Sequence, residues 1–82
     1  MKSDIFTDAI SNRRRIRFVY GLKEVFLEPY YISVNNSGKK AIFGRIDHTN
    51  EIKMFQYDNI FNIRVLGSQK FSPIIPIIAV YN

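Results

Sequence analysis

The sequence predicts a mainly β domain: one short N-terminal helix, then about five short strands forming a small antiparallel barrel, then an extended apolar tail. Three observations carry that prediction. Helical spacing of apolar residues is confined to the first dozen positions. From Arg13–Tyr20, which reads RRRIRFVY, the pattern changes to a period of two. Turn-forming residues then punctuate the chain at short intervals, as in small all-β folds.

Near the start, Ser3 and Asp4 suggest a helix N-cap with an acidic first turn. Ile5, Ala9 and Ile10 follow at helical spacing with Phe6 beside them, which predicts two to three turns ending near Asn12. Such a helix is too short to be stable alone and must lie on the sheet. Arg13 and Arg14 are expected to finish it, their charge favouring its C-terminal dipole. Arg15–Tyr20 is the first strand, with Ile16, Phe18 and Tyr20 on one face and Arg15, Arg17 and Val19 on the other.

Gly21-Leu22-Lys23 makes a tight connection to a second strand, which begins near Glu24 and continues through Ser33. Pro29 predicts a bend, a bulge or an edge position there. Asn35-Asn36-Ser37-Gly38 is a turn, and Lys39–Asp47 a third strand. Gly44 inside it signals a sharp bend or the close approach of another backbone. His48-Thr49-Asn50 turns into a fourth strand, Ile52–Tyr57; Asp58-Asn59 fits one turn of 3₁₀ helix before a fifth, Ile60–Leu66. Closing these strands into a barrel would remove the exposed edges of a five-stranded sheet. The chain reads as one domain over residues 1–82, with the helix in 1–14, the barrel in 15–66 and the tail in 67–82.

Composition narrows the function. Of 82 residues, 46% are hydrophobic and 15% aromatic, enough for a modest core despite a net charge of +5. No cysteine is present, which removes disulfide scaffolds, thiol catalysis and thiolate metal sites. The first fifteen residues lack the apolar core of a signal peptide, and Phe71–Tyr81 is too short to span a bilayer. A cytoplasmic protein without membrane contact is expected. The tail Phe71–Asn82 is apolar on both parities and carries Pro73 and Pro76, so it is expected to pack on the barrel or across a homodimer.

Catalysis has little support. His48 is the only histidine, and Asp4, Asp8, Glu24, Glu28, Asp47, Glu51 and Asp58 show no motif spacing. Neither a phosphate-cradling glycine loop nor a nucleophile elbow occurs. No enzyme, metal or cofactor is expected. The positive charge and the interleaved aromatics point instead to an anionic partner, with phosphates pairing to Arg and Lys and bases stacking on rings. In this reading Arg17, Arg45 and Lys53 pair with phosphates, Tyr31 offers a stacking face, and Lys40 sits at the rim. Arg45 and Lys53 are expected to approach each other across the hairpin of strands three and four. Phe18, Phe43, Phe55 and Phe61 are expected in the core.

The chain resembles the WYL domain family. The resemblance runs from about Asp8 to Phe71 and is carried by Ala9-Ile10, the basic run, Ile16-x-Phe18-x-Tyr20 and Glu28-Pro29-Tyr30-Tyr31-Ile32. It continues through Lys40–Asp47 and Lys53-x-Phe55-Gln56-Tyr57-Asp58-Asn59-Ile60. It implies an Sm-like, SH3-type five-stranded barrel that senses a nucleic acid or nucleotide through a basic groove. Such domains commonly accompany a winged helix in bacterial transcription regulators, including those of phage defence and DNA-damage responses. With its departures, the resemblance leads to the expectation of a degenerate, stand-alone copy. The signature triplet reads Lys40-Ala41-Ile42, Lys53 stands where the family has an arginine, Asn59 replaces a second arginine, and a helix-turn-helix is missing. The resemblance implies a non-enzymatic ligand-binding module for single-stranded nucleic acid or a nucleotide, with a regulatory role. The alternative is a protein–protein interaction or dimerisation module that uses the apolar tail Phe71–Tyr81.

Overall fold

Phe6 and Ala9 are spaced to share one side of a helix, and that side is buried in helix α1, Lys2–Ser11. The helix begins at Lys2 with Met1 at the cap position, so Ser3 does not cap it. Ser3 lies inside the first turn, where its hydroxyl is 3.0 Å from the Tyr57 hydroxyl. Asp4 accepts a hydrogen bond from the N-terminal ammonium at 3.1 Å. The computed structural model describes residues 1–75. The rest of the tail expected at Phe71–Asn82 therefore lies outside the described residues.

Beyond Ser11 the helix closes with two crossed backbone bonds, Arg13 N–H to Ile10 O at 3.3 Å and Arg14 N–H to Ala9 O at 2.9 Å. This pattern places Arg13 in the left-handed region (φ 56°), where glycine is the usual residue. The Arg13 guanidinium offsets part of the cost by donating to Ile10 O at 3.0 Å, which agrees with its expected role at the helix end. Arg13→Gly exchanges that bond for relief of backbone strain and should stay within about 0.5 kcal/mol of the parent. Arg13→Val, β-branched at the same φ, should cost about 1–2 kcal/mol. Urea unfolding of the two variants checks the pair of signs.

Five strands follow: β1 (Ile16–Tyr20), β2 (Lys23–Val34), β3 (Lys40–Ile46), β4 (Ile52–Gln56) and β5 (Ile60–Val65). A single turn of 3₁₀ helix, Tyr57–Asn59, joins the last two. They form one antiparallel sheet in the order β4-β3-β2-β1-β5. The twelve-residue β2 is its pivot, because Leu27 pairs with both Ile16 of β1 and Ile46 of β3. Pro29 sits in this central strand, and the register slips between Pro29 and Tyr31. A bulge is one of the few places where a central strand tolerates proline, and it bends the strand. A second bulge lies between β1 and β5, with Asn62 at φ 56°.

The ladder does not close. β4 and β5 are the two edges, and no pairing joins them, so the closed barrel expected from the sequence is instead a curled, open sheet. Aromatic side chains fill the place a closing ladder would take. The Tyr20 and Phe55 rings meet edge-on with centroids 4.9 Å apart, and Phe18 meets Phe55 at 5.2 Å. The Tyr20 hydroxyl accepts a hydrogen bond from the Gln56 backbone N–H of β4 at 3.2 Å. Ile16, Phe18, Leu27, Ile32, Ile42, Phe55 and Ile60 line the concave side, and α1 closes it with Phe6 and Ala9. Burying side chains of this size contributes roughly 1.5–3 kcal/mol each, which is what holds a domain of this length together.

Two of the phenylalanines expected in the core lie outside it. Phe43 is half-buried on the convex face, stacked on Tyr31 with centroids 4.6 Å apart, and Phe61 is 57% exposed. Strand parity explains both. Phe43 is in register with Tyr31 and Met54, and Phe61 with Val19. Among the described residues no helix is long and apolar enough to cross a membrane.

Candidate anion-binding face and its buried counterpart

The convex face carries nearly all the arginine chemistry, in two rows that behave differently. The first row is built on a buried carboxylate. Glu28 of β2 faces Arg45 of β3 in register, and its side chain is wholly out of solvent. Arg45 grips it with two bonds, Nε to Oε1 at 2.8 Å and Nη2 to Oε2 at 2.6 Å. Arg15 approaches from the other side, Nη2 to Oε2 at 3.4 Å, and the Tyr30 hydroxyl lies 3.4 Å from Oε1. This forked geometry is the strongest form of a side-chain ion pair. The hydrogen bond from Arg45 to Glu28 raises the guanidinium's pKa above its ordinary value. A raised pKa means stability present at lower pH and lost only as pH rises through it, so the pair stays intact across the neutral and mildly alkaline range.

The segment after β5 seals this row. Arg14 and Arg15 donate to the carbonyls of Ser68 and Gln69 at 2.7 and 2.8 Å. Phe71 is buried and stacked on Tyr30 at 5.8 Å, and Ile74 N–H donates to the Tyr30 hydroxyl at 3.0 Å. The described part of the tail thus packs within the chain, and no buried side-chain nitrogen or oxygen among the described residues lacks a partner. Arg45 is therefore a fork already filled by a carboxylate.

The second row is open. Arg64 of β5, Arg17 of β1 and Phe26 of β2 lie side by side across three strands. Arg17 contacts Glu24 and donates to Asn62 O at 3.2 Å. Arg64 is exposed and has no partner among the described residues. Phe26 is 42% exposed, and Phe61, in the next row with Val19 and Glu24, is also exposed. Next to Phe26, a groove of about 490 Å³ is lined by Glu24, Val25, Phe26, Ile46, Asp47 and His48.

The remaining residues expected at the site are dispersed. Lys53 is in register with Gly44, while Arg45 is in register with Ile52, so the two cations point to opposite faces of the hairpin and do not approach each other. Lys53 lies 3.7 Å from Glu51 at the exposed β4 edge. Tyr31 already has Phe43 on one side of its ring. Lys40 is exposed and lines a separate groove of about 380 Å³ with Met1, Lys2, Ser3, Tyr57 and Asp58. Of the five, only Arg17 belongs to the open row.

Sequence reasoning passed over Phe26 and Arg64. The signal for Phe26 is present, since Val25 and Leu27 take the inner parity and leave Phe26 outside. For Arg64 it is not, because the bulge at Asn62 shifts the parity of the residues after it.

No family model, curated protein or solved structure matches the chain.

Proposed function

We propose that the chain is a non-enzymatic module that binds an anionic ligand, single-stranded nucleic acid or a nucleotide, on the convex face of its sheet, in a regulatory setting. One observation carries the reading. Arg17, a quarter exposed, and Arg64, at the surface, are direct cross-strand neighbours. Like charges in that position repel and destabilise a sheet, and among the described residues Glu24 is the one carboxylate paired to either of them. An anion laid across the pair would relieve the repulsion, while Phe26 and Phe61 supply the exposed rings on which bases stack. The strand order around β2 and the 3₁₀ turn before β5 support an Sm-like, SH3-type architecture with its seam left open. They fit the WYL resemblance of the sequence.

The test is fluorescence anisotropy of a labelled twelve-nucleotide oligouridylate at several salt concentrations. Binding should weaken with salt. Arg17→Ala/Arg64→Ala should flatten the slope of log affinity against log salt by about 1.4, at ~0.7 per phosphate contact. Arg45→Lys should leave the slope unchanged. Binding that ignores salt, or a slope untouched by the double variant, would sink the reading.

A further inference from the structure

From the groove beside the arginine row we infer that the ligand's recognised unit is a guanine nucleotide, its base on Phe26 and its phosphate on Arg64. The inference rests on the anion-binding reading and adds the identity of the base. The groove begins where the arginine row ends, and Phe26 belongs to both. Strands lie about 4.8 Å apart, so two strand spacings put Phe26 and Arg64 about 10 Å from each other along the row. A mononucleotide, whose ribose separates base from phosphate, bridges that distance with the help of a long arginine side chain.

The groove's walls select the base. A volume of about 490 Å³ lies in the range of small-ligand sites. Phe26 and Ile46 give apolar contact to a ring, and the exposed imidazole of His48 stands at the rim beside Asp47, 3.5 Å away. The polar atoms on offer are chiefly acceptors. Asp47 Oδ1 takes one bond from Arg15 at 3.1 Å, and Glu24 uses only Oε2, for Arg17. A carboxylate has room for about four hydrogen bonds, so both retain free acceptor sites. Two carboxylates with free acceptor sites in the lining of this groove favour a base edge rich in N–H donors. Guanine presents a ring N–H next to an exocyclic amino group and can satisfy one carboxylate twice. Adenine and cytosine offer a single amino group, and uracil a lone ring N–H between two carbonyls that the carboxylates would repel.

Titrating the full chain with GMP, IMP, AMP, CMP and UMP, followed by backbone amide NMR shifts, tests the assignment. GMP should bind about tenfold more tightly than AMP, CMP or UMP, with perturbations at Phe26, Asp47 and Arg64. IMP, which keeps the ring N–H but lacks the amino group, should fall between. Guanosine should perturb Phe26 but not Arg64. Equal affinity for all five nucleotides would overturn the base assignment and leave the anion-binding reading standing. So would oligouridylate binding that shifts the arginine row while GMP binds nowhere. Failure of every nucleotide and of the oligonucleotide would remove both. Asp47→Asn should cut the GMP preference at least fivefold. Because that change also touches Arg15, Phe26→Ala serves as a second variant and should weaken every nucleotide alike. A preference for GMP that survives Asp47→Asn, or nucleotide affinities left unchanged by Phe26→Ala, would place the base elsewhere.

Discussion

Glu28→Ala should destabilise the domain by about 3–5 kcal/mol, the largest effect of any single side chain on the convex face. The substitution leaves Arg15 and Arg45 crowded in a site they share only because a carboxylate sits between them. Arg15 keeps Asp47 and the Gln69 carbonyl, and Arg45 keeps the Thr49 carbonyl, but those do not neutralise the vacated space. A domain of this size commonly has a total stability of roughly 5–15 kcal/mol, so the loss approaches unfolding. Glu28→Gln retains the shape and part of the hydrogen bonding and should fall between Ala and the parent. The double change Glu28→Met/Arg45→Leu should cost less than Glu28→Ala alone. It removes the Glu28 and Arg45 charges together and leaves Arg15 on Asp47, and a buried pair gains little over well-packed apolar groups once its desolvation is counted. Urea denaturation of the single and double variants measures these costs. A loss below about 1 kcal/mol for Glu28→Ala would show that the carboxylate is not what organises this row.

The same row shows where a sequence stops informing. Element boundaries follow from local chemistry and need nothing distant. Period-two alternation, the Asn35–Gly38 turn and the 3₁₀ turn are all encoded within a few residues of where they act, and they lie where the sequence places them. Ser3 departs from its expected place: it lies inside the first helical turn, and its hydroxyl meets a distant one, that of Tyr57. The fate of Arg45 is likewise non-local. Parity puts it on the convex face, and parity alone makes it available to a ligand. Its availability is decided by Glu28 seventeen residues earlier, whose neighbour Tyr30 is packed by Phe71 and bonded by Ile74 N–H. Arg17 and Arg45 carry the same side chain on the same face, yet one is filled and the other lies beside an unfilled neighbour, Arg64. Charge counting cannot separate them; only the tertiary partners do.

Gly44→Ala should be nearly as damaging as the loss of Glu28, and its sign separates two opposed effects. Glycine inside a strand is ordinarily a weakness, and alanine there gains about 0.5–1 kcal/mol from reduced backbone freedom in the unfolded chain. At Gly44 the added Cβ would stand 2.2 Å from the Glu28 carbonyl oxygen and 2.8 Å from Leu27 Cγ. The first of these is backbone, in the strand that Pro29 has already bent, and it cannot swing aside as a side-chain tip would. Relief requires β2 and β3 to separate where Glu28 and Arg45 are clasped, so the steric cost is added to a weakened ion pair. Overpacking a tight site costs typically 1–3 kcal/mol, and a backbone obstacle places this case at about 3 kcal/mol or above, well beyond the propensity gain. Gly44→Ala should therefore lower the urea midpoint sharply, and Gly44→Val should leave the domain unfolded at 37 °C. By contrast, Gly67→Ala, where nothing lies within 4 Å of the added carbon, should be close to neutral. If Gly44→Ala matched Gly67→Ala, the close approach of the two strands would be slack. The bend at Pro29 would then have to owe its shape to the proline and its bulge alone.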